Sequence, residues 1–366
     1  MRVLLVGAPT SAHIIRWANA LVGQGITVGV FGMGIFPKKQ YHPGISLFEY
    51  SMDNSITSKS IGSLQKLSYL KALPQLKQAI RTFNPDILHS HLATSYGLLG
   101  ALTGFKPFVV SVWGYDVFSF PEVSFIHRSM LKFVLTRATN VFSTSSFMAE
   151  RTKRYTNRPL SVTPFGIDCD VFSPGNKTLS NTITLGMVKN LEKWYGIETA
   201  IETLAYLKTL KSPYKFKLML VGEGSMKSFF QDLTKKINVQ DCVEFVGKVP
   251  YSEVQEYHKK IDIYLGISTY NDESFGVSLL EAQACGTPVI ATKMGGLPEV
   301  VLENKTGIFV ESKNPFQTAD AIMKIISSPE SYSDFSGLAR EFVLQQYSIE
   351  KTTATMIGLY YEVLKR

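Results

Sequence analysis

Cysteine is scarce in this chain. Cys169, Cys242 and Cys285 are the only three among 366 residues, they lie far apart, and none sits in a C-x-x-C or at ligand spacing from a histidine. This argues against a disulfide framework or a zinc site and fits a reducing, cytoplasmic compartment. Long apolar runs are also missing. No stretch approaches the roughly 18 to 20 apolar residues that cross a bilayer, and the opening MRVLLVGAPTSAH is too briefly apolar for a signal-peptide core, so it reads as a first strand. A complete G-x-G-x-x-G is absent: after Gly222 and Gly224, Lys227 stands where the third glycine belongs, which disfavours a nicotinamide dehydrogenase. There is no solenoid repeat, no low-complexity tract and no recognisable nucleic-acid module.

What is present is a chain of 45% apolar residues, long enough for two domains. The net charge of +8 is lopsided: residues 1–175 carry 17 Lys/Arg against 8 Asp/Glu, and residues 176–366 carry 21 against 22. A basic half suggests an anionic partner for that half or a merely solvated basic face. The segment Leu64 to Phe83 interleaves Lys66, Lys71, Lys77 and Arg81 with leucines near helical spacing, with a break expected at Pro74. Together with Arg151, Lys153, Arg154 and Arg158 it predicts salt-sensitive binding to an anionic membrane surface.

Short β-rich runs (RVLLV, ITVGVF, DILHS, FVVSVW, NVFSTS) alternate with helical patterns, which signals a parallel sheet with crossover helices. The Pro/Gly-rich stretch Thr163 to Asn181 interrupts the rhythm, and ITLGMV, KFKLMLVG, CVEFVG, DIYLGIS and TPVIAT restart it, so a second doubly wound sheet is expected. From Ser331 to Arg366 the pattern is almost wholly helical. In such folds ligands gather beyond the carboxyl ends of the strands.

Four stretches carry chemistry. In DILHSHLATSYG, His89 and His91 share one strand face, with His91 at the exit and expected to point into a cleft; no acid or cysteine completes a metal set. Asp168 and Asp170 in GIDCD mimic a metal-binding D-x-D, but their proline-bracketed setting favours a turn. LVGEGSMKSFF places Gly222 and Gly224 where backbone can approach a phosphate or base closely. In ESFGVSLLEAQACG a helix of small and apolar residues has Glu281 as its only charge, either buried or on a solvated outer face. The N–H groups near Phe275, Gly276 and Val277 suit a diphosphate.

These segments, with SAHIIRWANALVGQGITV, SVWGYDV, SSFMAE, PFGID, FVGKVP and GGLPEVV, span nearly the whole chain and resemble the retaining glycosyltransferases of family 4. The most specific element is E-x7-E, Glu273 to Glu281. The resemblance implies an α/β GT-B fold of two facing Rossmann-like domains with a cleft between them. Residues 1–170 would bind the acceptor and 171–345 the nucleotide sugar, with a helix at 346–366 packing back toward the first domain. It implies transfer of a sugar from a nucleotide diphosphate sugar, UDP before GDP, to a glycan or lipid-linked acceptor in surface polysaccharide or glycoconjugate synthesis, without a cofactor or metal. By similarity the catalytic residues are His91, reaching across to the sugar, Glu273, facing the sugar hydroxyls, and Lys189, facing the diphosphate. Donor contacts fall to Lys193, Gly222, Val249, Phe275, Gly276, Val277 and, toward the ribose, Glu281. Gly7, His13 and Asp116 fall on the acceptor side.

One position departs from the family pattern: the lysine expected just ahead of Gly196 is Trp194, with Lys193 one place earlier. Trp194 is expected to pack while Lys193 bends back to the phosphate. A subunit that binds nucleotide without turnover is the alternative that this departure raises, and a sugar-nucleotide epimerase is disfavoured by the E-x7-E context.

Overall fold

A computed structural model describes residues 1–51, 64–175 and 178–366. The chain forms two compact units, Met1–Phe165 with Glu350–Arg366, and Gly166–Ile349.

The first unit is built on seven parallel strands, β1 (Arg2–Val6), β2 (Thr27–Met33), β3 (Ser46–Tyr50), β4 (Ile87–His91), β5 (Phe108–Val112), β6 (Asn140–Ser143) and β7 (Leu160–Val162), in the order β3-β2-β1-β4-β5-β6-β7. Alternate residues of β1 feed two separate cores. Leu4 and Val6 meet Leu88, Val110 and Leu99 on one face, whereas Val3 and Leu5 meet Ile14, Trp17 and Val30 on the other. A sheet covered on both faces explains why its inner strands read as unbroken apolar runs. The last helix, Ile349–Leu364, supplies Met356, Tyr360 and Val363 to the second of these cores.

The second unit has six strands, β8 (Thr182–Val188), β9 (Lys215–Val221), β10 (Val243–Gly247), β11 (Ile263–Gly266), β12 (Val289–Thr292) and β13 (Gly307–Val310), ordered β10-β9-β8-β11-β12-β13. This is the Rossmann order, and β1 to β6 of the first unit follow it too. The order reverses between β1 and β4 in one sheet and between β8 and β11 in the other, and those two points are where an open α/β sheet accepts ligands.

The break expected at Pro74 takes the form of a change of helix type. The chain runs as a 3-10 helix over Leu64–Ala72, and the α-helix Leu73–Phe83 begins with Pro74 in its first turn, where the missing N–H leaves no bond unmade. Leu76, Ala79 and Phe83 of this helix are buried and Lys77 and Arg81 exposed, so its apolar side is committed to the core. The Lys66 side chain lies outside the described residues. Among those described, no helix is long and apolar enough to cross a membrane.

Candidate functional site

At the switch point of the second unit, Lys189 follows β8 directly. Its Nζ lies 3.0 Å from both carboxylate oxygens of Glu273, and Ser268, just after β11, donates to Glu273 Oε2 at 3.1 Å. The two charged side chains are only 15% and 11% exposed, and the Lys189 ammonium sits 4.8 Å from the centre of the Tyr195 ring. Burial alone pushes the Lys189 pKa down, but the Glu273 carboxylate, helped by Tyr264 and Tyr195, outweighs it and holds the lysine above its ordinary value. The ammonium is therefore cationic throughout the neutral range.

Glycines let neighbouring backbones touch around this pair. A Cβ on Gly222 (φ +143°) would lie 2.0 Å from the Lys189 carbonyl oxygen, and one on Gly224 would lie 2.3 Å from that of Leu191. Sequence reasoning assigned the close approach at this G-x-G to a phosphate or base; in the structure the adjacent loop makes it. Gly295 (φ +56°) and Gly296 do the same for the far side: a Cβ at Gly295 would meet the Glu273 carbonyl oxygen at 2.1 Å, and the Gly296 N–H donates to that oxygen at 2.8 Å. Lys189, Asn190, Glu192, Gly222, Lys248 and Val249 line an open pocket of about 520 Å³ over the ends of β8, β9 and β10.

Trp194 does not pack as expected. It is 47% exposed, and its backbone is what is fixed, through the Thr269 N–H donating to its carbonyl at 2.8 Å. Lys193 is exposed beside it, and Glu192 accepts from the Ser225 N–H at 2.8 Å and hydroxyl at 2.6 Å.

The helix Val277–Ala284 opens after Gly276, whose φ of +97° and contact with Leu297 leave no room for a side chain. In its first turn the Leu279 N–H donates to the Gly276 carbonyl at 3.0 Å, those of Val277 and Ser278 precede the intrahelical ladder, and the positive end of the helix dipole lies there. Phe275 is buried with its ring centre 5.7 Å from that of Tyr347. Glu281 is 4% exposed, which rules out the outer-face reading: Tyr251 donates to its Oε1 at 2.7 Å, and His258 Nε2 lies 3.5 Å from its Oε2.

In the first unit, Val6 of β1 pairs with Ser90 of β4, so Gly7 and His91 stand side by side at the switch point. A Cβ on Gly7 would press on Ile14 at 2.5 Å. His91 occupies the strand exit as expected, and its side chain is 1% exposed, with ring centres of His89 at 4.2 Å and Trp113 at 5.3 Å. Neither of its ring nitrogens has a hydrogen-bond partner among the described residues. His13 stacks on Phe165 at 3.9 Å and meets Trp113 edge-on at 5.5 Å. His89 is structural: its ring nitrogens bond the Tyr360 hydroxyl at 2.6 Å and that of Ser111 at 2.8 Å. Asp116, buried, spends its carboxylate on the N–H groups of Ala93, Trp113 and Gly114 at 2.9 to 3.0 Å, and so ties the loops after β4 and β5 together. Burial raises its pKa while those N–H groups pull it back.

Asp168 makes a turn: its Oδ1 accepts from the N–H groups of Asp170 and Val171 at 3.2 and 3.1 Å. Among the described residues no cluster of three or more His, Cys, Asp or Glu is placed to hold a metal ion. Sequence reasoning missed Tyr251, Ser268 and the two glycines of GGLPEVV; the glycine pair was visible, but not what it touches.

Burial, reinforced by His13, lowers the His91 pKa to about 3, and burial also lowers that of His89. Between that value and the unfolded value near 6.5 the unfolded chain binds more protons, so stability falls as pH drops through this window. We expect burial of His91 to cost about 2 kcal/mol between pH 7 and pH 5. Urea unfolding at both pH values checks this: His91→Asn should shrink the pH-dependent loss, and an unchanged loss would reject the assignment.

The family model for glycosyl transferases group 1 matches residues 172–342, and that for glycosyl transferase 4-like matches residues 2–145. N-acetyl-alpha-D-glucosaminyl L-malate synthase of Bacillus anthracis is 33% identical over 178 residues, covering 49% of this chain and 45% of that protein. D-inositol 3-phosphate glycosyltransferase of Corynebacterium jeikeium is 31% identical over 183 residues, covering 46% and 43%. The chain spans about half the length of these curated relatives. Among solved structures, sucrose-phosphate synthase from Thermosynechococcus elongatus superposes with a TM-score of 0.80 at 21% identity, covering 100% of this chain and 99% of that one. HepE of Anabaena, solved in complex with UDP, gives 0.78 at 18% identity, covering 99% and 100%. At these identities the likeness speaks for the fold.

Proposed function

Because this chain belongs to the family 4 glycosyltransferases and has their GT-B fold, we propose that it moves a sugar from a nucleotide diphosphate sugar, a UDP-sugar foremost, to a glycan or lipid-linked acceptor in surface polysaccharide or glycoconjugate synthesis. The reaction retains the anomeric configuration and uses no metal or other cofactor. The protein works in the cytoplasm, at an anionic membrane surface. The observation that carries this reading is the Lys189–Glu273 pair at the switch point, beside an open pocket and a helix amino terminus.

The chemistry follows from an exchange of partners. Without donor, Lys189 and Glu273 neutralise each other. An incoming diphosphate competes for the ammonium and for the first-turn N–H groups of the helix Val277–Ala284, and it releases Glu273 to accept from uncharged sugar hydroxyls. As the sugar leaves, negative charge builds on the diphosphate, and fixed donors in a dry site stabilise it most. Glu281 exchanges the Tyr251 hydroxyl for those of the ribose. His91, held neutral, offers a hydrogen bond without adding charge.

Among the fold relatives, HepE has been solved with UDP and with UDP-glucose, which supports uridine as the base. At 100-fold excess over its Kd, UDP should raise the melting temperature by roughly 5 °C. Incubation with UDP-, GDP- and ADP-sugars, with and without lipid acceptor, should release nucleoside diphosphate. A melting shift without release from any donor would instead favour the non-catalytic subunit, and neither response would reject both. Lys193→Ala should lower turnover about tenfold or more if Lys193 replaces the lysine missing at Trp194. Unchanged turnover would remove that compensation.

A further inference from the structure

The helix Phe125–Arg137 lies against the first unit through Leu131, Val134 and Leu135 and turns the rest of its surface outward. That surface is divided along its length. At the amino end Val123, Phe125 and Ile126 are 53%, 81% and 60% exposed, three bulky apolar side chains together at the junction where Ser124 caps the helix. Behind them come Arg128, Lys132 and Arg137, and the sequence of the helix, FIHRSMLKFVLTR, contains no acid. Along the helix these cations are spread over about 14 Å at helical rise.

Two further cations gather at its carboxyl end. The Lys106 ammonium donates to the Arg137 carbonyl oxygen, and the Arg158 guanidinium donates to that of Thr136 at 2.9 Å. Burial and the two neighbouring guanidinium groups lower the Lys106 pKa, as expected where like charges crowd. Glu122, just ahead of the helix, is paired with Arg128 at 3.1 Å.

The geometry points to this face as the docking surface for an anionic lipid bilayer, with Val123, Phe125 and Ile126 entering the headgroup boundary and Lys132 and Arg137 meeting the phosphates. An apolar wedge beside the exposed cations Lys132 and Arg137 matches an interface that is apolar within and anionic at its edge. A nucleic acid would use the cations and leave the wedge in water. The inference deepens the membrane-surface part of the reading above and moves it away from the helix Leu73–Phe83, whose apolar side is buried. It does not depend on which reaction the protein performs.

The test is vesicle flotation of the full chain without donor, so its failure is separable from failure of turnover. Phosphatidylglycerol-containing vesicles should bind about tenfold or more better than pure phosphatidylcholine, and raising NaCl from about 0.1 M to about 0.5 M should weaken binding. Phe125→Ser with Ile126→Ser should cut partitioning about tenfold or more, and Lys132→Glu with Arg137→Glu should do the same. All four side chains are exposed, so melting temperatures should not move. Lys77→Glu with Arg81→Glu should bind like the parent. Equal binding to neutral and anionic vesicles, parent-like binding by the Phe125/Ile126 variant, or loss confined to the Lys77/Arg81 variant would each overturn the inference.

Discussion

Lys189→Ala is expected to reduce turnover by about 10³-fold, the scale seen when one fixed donor to a developing oxyanion is removed. Three features make this residue hard to replace. Its ammonium is largely shielded from water, its charge is secured by Glu273 and two tyrosines, and its backbone is locked to β9 through the Val221 carbonyl at 3.0 Å. Removing it takes the cation from the leaving group and leaves the Glu273 carboxylate without its counter-ion. Lys189→Arg should restore part of the rate, because charge survives while the shape of the contact changes. The decisive comparison is kcat of both variants with a saturating UDP-sugar, alongside UDP-induced melting shifts. If Lys189→Ala kept more than about a tenth of the parental rate, the cation would lie outside the reaction.

Gly295→Ala should act nearly as strongly from outside the chemistry. Its added Cβ would sit 2.1 Å from the Glu273 carbonyl oxygen and 3.1 Å from that of Asn271, and φ of +56° disfavours any side chain. Both neighbours are backbone, so the loop bearing Glu273 has to move. A displacement near 1 Å costs on the order of 10²-fold in rate, and the strained residue about 1–3 kcal/mol in stability. Kinetics and urea denaturation of the same preparation separate these effects. A rate equal to the parent would show that Glu273 tolerates displacement and has no role requiring position.

The inner strands were legible in the sequence because burial on both faces writes them as continuous apolar runs. The strands not anticipated, β3 (SLFEY), β7 (LSV) and β13 (GIFV), are all at sheet edges, where one side lacks a partner and the runs are short or mixed. Residue types at the strand ends were equally legible, since topology alone brings them to one edge. Partnerships were not. Lys189 and Glu273 are 84 positions apart, and nothing local announces that they pair or that Tyr251 reaches Glu281. The glycines mislead for the same reason: what occupies the space beside Gly222 is Lys189 backbone, a long-range fact. Trp194 is expected to pack because the rest of the donor site is intact, but its loop is fixed through its carbonyl and its ring, beside that of Tyr195, stays half exposed.

The bond between His89 and Tyr360 has a consequence for how the protein is born. The second unit is continuous in sequence, whereas the first borrows its last helix from the end of the chain, and Met356, Tyr360 and Val363 complete one of its two cores. On the ribosome the first 165 residues therefore emerge with one flank of their sheet uncovered and must wait for the intervening unit, roughly 10–40 s at ordinary synthesis rates. The unit made first is the last to be finished, and during that interval its bare flank depends on chaperones or on speed.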